Sequence, residues 1–71
     1  MSYNRIGVLK VGKFYKTEKG KKIFIFFTLD GEIFDGVVVG YPFANQWYKD
    51  GENFTYDDAF KDNIIEEWED K

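Results

Sequence analysis

The chain contains no cysteine and no histidine, and only one proline and one methionine. Without cysteine there are no disulfides and no thiolate metal sites. Without histidine the commonest general base and metal ligand is missing. No apolar run approaches the about 20 residues needed to cross a bilayer. The opening MSYNRIGVLKVGK lacks the long apolar centre and small-residue cleavage site of a secretory signal. A cytoplasmic protein with no membrane contact is therefore expected. Asn53-Phe54-Thr55 matches a glycosylation sequon, and without a secretory signal it reads as a chance match.

What remains must hold the fold by packing alone. The 71 residues form a single expected domain, 1–71, near the lower size limit for unaided folding. Eight Phe, five Tyr and two Trp suit that demand, because an aromatic ring buries much area for few rotatable bonds. Charge is unevenly spread. Residues 1–22 carry seven cations against Glu18 alone, a net +6, and residues 23–71 carry three cations against twelve carboxylates, a net −9. Such asymmetry points to a charged partner, or to a fold that lays the basic segment beside acidic neighbours.

Residues 22–40 hold the densest run of β-branched and aromatic side chains. They read as two strands joined by Asp30-Gly31 in a two-residue type I′ turn. That turn would pair Leu29 with Glu32, Phe27 with Phe34 and Ile25 with Gly36. One face then gathers Ile23, Ile25, Phe27, Leu29, Phe34 and Val38 as the core. The other gathers Phe24, Phe26, Ile33, Val37 and Val39, so both faces are apolar, as a sheet bent into a small barrel requires. Gly36 and Gly40 are natural bend points.

Before the hairpin, residues 1–5 read as a frayed lead-in. Residues 6–17 read as a strand with Leu9 and Val11 on one side and a bend at Gly12-Lys13. After the hairpin, Pro42 argues against a central strand, so residues 41–48 read as a loop. A short strand is expected around residues 53–56, followed by a helix start at Thr55-Tyr56-Asp57-Asp58. The last segment admits two readings. Phe60, Ile64 and Trp68 have the spacing of one amphipathic helix, whereas Asn63 as a left-handed stop would let residues 64–68 form a closing strand.

Short strands, an Asp-Gly hairpin, a further strand, a helical turn and a final strand resemble the plan of an SH3-like barrel. From MSYNRIG to NIIEEWEDK the chain resembles the YorP family of small phage or prophage proteins. The resemblance implies an all-β, five-stranded SH3-like small barrel with one short helix between the last two strands. The helix then occupies 56–61 and the strand 64–69. It implies no activity.

No residue set points to catalysis, and neither an enzyme nor a cofactor is expected. The densest carboxylates, Asp57, Asp58, Asp62, Glu66 and Glu67, read as solvated ends and outward faces. The Asp-Gly-Glu segments lack the alternating oxygen ligands of a calcium loop. Binding remains. Tyr41, Phe43, Trp47 and Tyr48 cluster in the expected loop and suit a protein interface with a host or phage partner. The plainer reading has Trp47 and Phe43 fold back over the core. The alternative is weak nucleic-acid binding, with Lys10, Lys13 and Lys16 on phosphates and Tyr15 stacked on a base. The scattered carboxylates also allow mimicry of a phosphate backbone. A monomer is the expected state.

Overall fold

The β-rich central stretch becomes the middle of a five-stranded antiparallel sheet. The computed structural model describes residues 7–55 and 57–69. The frayed lead-in, Ile6 and Tyr56 lie outside the described residues. The strands are β1 Phe14–Thr17, β2 Lys22–Thr28, β3 Ile33–Val38, β4 Ala44–Tyr48 and β5 Ile64–Glu67. Their order is β4-β3-β2-β1-β5, and the sheet curls into a half-barrel. The expected all-β small barrel is the observed architecture. Its short helix is a single 3-10 turn, Asp58–Phe60, where the Asp57 carboxylate accepts from the Ala59 amide at 2.9 Å. The last segment is a strand, ending at Glu67.

Strict alternation puts Tyr15 and Thr17, Ile23 and Ile25, and Phe34 and Val38 on the concave side. Tyr15, Ile23, Ile25 and Phe34 make the core with Leu9, Trp47 and Ile64, and Val38 packs against it. Gly36 lies directly beneath this layer. A Cβ there would stand 2.8 Å from Ile23 Cγ2 and 2.9 Å from Trp47 Cζ3, closer than real contacts allow. The concave side is thus packed down to the backbone.

The hairpin register follows expectation at Ile25–Gly36 and then departs from it. An extra residue, Phe26, bulges from β2, so Phe27 stands opposite Asp35 and Thr28 opposite Phe34. Phe27 is displaced from the core, and Leu29, 87% exposed, sits in the connecting loop. The type I′ turn is replaced by a loop over residues 29–32, in which Gly31 alone has positive φ, at 78°. Asp30 accepts from the amides of Glu32 and Ile33. Thr28 Oγ1 accepts from Gly31 N and donates to Ile33 O. These side chains do locally what a tighter turn would do by backbone geometry. The amides also hold the exposed Asp30 carboxyl below the ordinary aspartate range.

Two other expectations change. Residues 44–48 form the edge strand β4 instead of a loop, because Pro42 precedes the strand and interrupts none of its hydrogen bonds. Of the strand expected around 53–56, Tyr56 lies outside the described residues, and the described residues 53–55 form only a bridge, Trp47 to Asn53. The earlier basic strand shortens to β1, preceded by a turn in which Lys13 N donates to Lys10 O and Gly12 has φ 93°. Leu9 is buried but Val11 is exposed.

Asn53 and its neighbours join the two ends of the sheet. Asn53 Nδ2 donates to Gln46 O at 2.8 Å, and its Oδ1 accepts from Asp62 N at 2.9 Å. Its own amide donates to Asn63 Oδ1 at 2.8 Å. Trp47 Nε1 donates to Asp62 O at 2.9 Å, while the Asp62 carboxylate accepts from Thr17 Oγ1 and Lys19 N. Asp62 is therefore buried, contrary to its expected solvation, and Asn63 acts through its side chain with no left-handed backbone. Among the described residues no buried side-chain polar atom is left unsatisfied, which such a polar seam requires.

Candidate functional site

Of the four aromatics expected at a binding loop, the sheet sends each to a place set by strand alternation. A tight turn precedes β4: Tyr41 N donates to Val38 O, Val38 N donates to Phe43 O, and Gly40 has φ 94°. It holds Tyr41 and Phe43 at the sheet's end. Their rings stack with centroids 6.4 Å apart and planes 19° from parallel. Tyr41 and Phe43 are 59% and 65% exposed.

Trp47 lies on the same side of the chain as Phe43 but over the core, and is 2% exposed. In this conformation its ring is a packing element whose only polar atom is spent on Asp62 O. Tyr48 points to the outer face, edge-on to Phe54 at 5.3 Å. The four residues thus divide among the groove lip, the core and the opposite face.

Beside Phe43 runs a groove of about 280 Å³. Buried Ile23 and Trp47 form its floor with Val38, and Phe43 and Phe60 are its exposed apolar walls. Phe60 is 70% exposed on the 3-10 turn, whereas the long-helix reading, one of the two open to this segment, would put it on an apolar face with Ile64 and Trp68. No sequence signal singled it out, because its i, i+4 spacing to Ile64 is also that of a helix core. Lys19 and Lys21 line the groove as well. They come from the turn between β1 and β2, which the sequence marks only as polar.

The outer face carries a second apolar feature. Phe14, Phe24, Val37 and Ala44 are successive register partners across β1 to β4, with Phe14 and Phe24 centroids 4.8 Å apart. Lys22 Nζ lies 4.8 Å from the Phe14 ring centroid and 5.1 Å from that of Trp68. This row is partly covered by its own ring contacts and by Lys22.

The basic set is dispersed. Tyr15 is 1% exposed, and its hydroxyl accepts from Lys10 N at 2.9 Å. Burial pushes its phenol above the ordinary value of 10.0. Lys13 and Lys16 face β5, where they approach Glu67 at 3.4 Å and Glu66 at 3.8 Å. Folding has laid the basic strand against an acidic one. Asn53, the sequon residue, is buried with its amide nitrogen committed to Gln46 O.

No helix among the described residues is long and apolar enough to cross a membrane. Comparison of the chain with protein-family models, curated proteins and solved structures gives no match.

Proposed function

We propose that this chain is a non-enzymatic binding domain that recognises another protein through the groove between Phe43 and Phe60. The carrying observation is the pair of exposed apolar walls, 65% and 70% accessible, over a floor of buried Ile23 and Trp47. Exposed large apolar groups gathered around a concavity favour an interface, whereas scattered ones do not. Tyr41 extends the surface through its stack on Phe43. The resemblance to YorP belongs to the same proposal and points to a prophage-derived protein whose partner is a host or phage protein.

Two features support the nucleic-acid alternative less well. Its stacking residue, Tyr15, is buried, and Lys13 and Lys16 each face a carboxylate. The test is affinity capture from host lysate, with and without nuclease, using wild type and Phe43→Ala. The proposal expects a discrete protein that survives nuclease and is lost with the variant. Capture abolished by nuclease, or indifferent to Phe43→Ala, contradicts it.

A further inference from the structure

The groove's walls are apolar but its charged edge is unbalanced. Four lysines are matched to carboxylates: Lys13 with Glu67, Lys16 with Glu66, Lys49 with Glu32 and Lys61 with Glu52. The two cations lining the groove are not matched. Among the described residues Lys19 Nζ meets only the Ala59 carbonyl, at 3.2 Å, and Lys21 makes no ion pair. The carboxylate on this surface, Asp62, is buried and turned to Thr17 Oγ1 and Lys19 N. Asp57, three residues before Phe60, caps the 3-10 turn through Ala59 N, and neither it nor Asp58 lines the groove. Asn45 adds a polar group whose Oδ1 is used by Gln46 N, leaving its NH₂ to donate.

We infer that the groove takes a peptide segment in which a bulky apolar side chain is flanked by carboxylates. Phe43 and Phe60 hold the apolar group, Lys19 and Lys21 meet the carboxylates, and Asn45 donates to a peptide carbonyl. The inference rests on the groove being the binding surface and adds the chemistry of what enters it. Charge complementarity at an interface rim sets partner choice and on-rate more than affinity. The preference for acidic flanks is therefore expected to weaken with added salt.

A random heptapeptide library selected on the immobilised full chain tests this directly. Wild type is expected to enrich peptides with Asp or Glu next to Phe, Leu or Trp. The double variant Lys19→Glu with Lys21→Glu is expected to bind those peptides about tenfold more weakly, as two reversed exposed charge contacts imply. It should also enrich Lys- or Arg-flanked peptides in their place. Both positions are exposed, so a far-ultraviolet spectrum matching wild type confirms an intact fold. Binders that need Phe43 and Phe60 but show no acidic bias overturn the inference and leave the groove reading standing. Binders indifferent to Phe43→Ala with Phe60→Ala, or no enrichment at all, overturn both.

Discussion

Phe43 and Trp47 border the same groove from the same side of the chain, yet 65% of one and 2% of the other is exposed. Their hydrophobicity does not explain the difference, and their position along β4 does. Trp47 crosses Gly36, the point in β3 where any side chain would collide with it, and ties its indole N–H into the seam at Asp62. Phe43 stands one residue before the strand begins, its carbonyl bonded to Val38 N and its ring at the groove's edge. Within five residues the chain thus supplies a structural aromatic and an available one.

The contrast breaks most sharply at Trp47. Trp47→Ala leaves a large cavity and an unmet Asp62 carbonyl, and it is expected to cost about 3–5 kcal/mol, enough to unfold much of a small domain. Phe43→Ala should stay within about 0.5 kcal/mol of wild type in urea unfolding, as exposed positions usually do. Similar losses at both sites would remove the distinction. Asn53→Ala tests the seam next. Its Oδ1 is the acceptor of the buried Asp62 amide, and orphaning that donor is expected to cost about 2 kcal/mol, read as a lower urea midpoint. Gly36→Ala attacks Trp47 from below. The Cβ contacts of 2.8 and 2.9 Å predict overpacking, about 1–3 kcal/mol, with an altered Trp47 fluorescence.

Tyr15 gives the pH counterpart. Its phenol is raised by burial, so the neutral form is favoured in the fold. The stability this supplies is complete below the ordinary phenol value of about 10 and is lost as pH rises through the raised value. Alkaline unfolding should therefore begin above about pH 10, and Tyr15→Phe should blunt it despite losing the Lys10 hydrogen bond. The smallest effect belongs to the exposed pair Lys16–Glu66. Lys16→Ala is expected to change stability by at most about 0.5 kcal/mol, less in high salt.

Much of the fold was legible because alternation is a strong signal wherever polar and apolar residues differ. Ile23, Ile25 and Phe34 were placed correctly for that reason. The bulge at Phe26 was not legible, because neighbouring Phe26 and Phe27 give no polarity contrast by which to fix register. In β4 the residues Ala44, Asn45 and Gln46 hide the strand pattern, and only Trp47 shows which side faces in. The site was half legible. Tyr41 and Phe43 stand out as aromatics beside a proline, but Phe60, Lys19 and Lys21 reach the groove only through tertiary contact. Local sequence carries no record of that.

The most direct measurement is the map of backbone amide shifts in an ¹⁵N spectrum as the captured partner is added to the labelled chain. Binding at the groove predicts perturbations concentrated at residues 19–21, 38–45 and 59–61, with the outer row at Phe14, Phe24 and Val37 unmoved. Perturbations centred on that outer row, with the groove silent, would contradict the account.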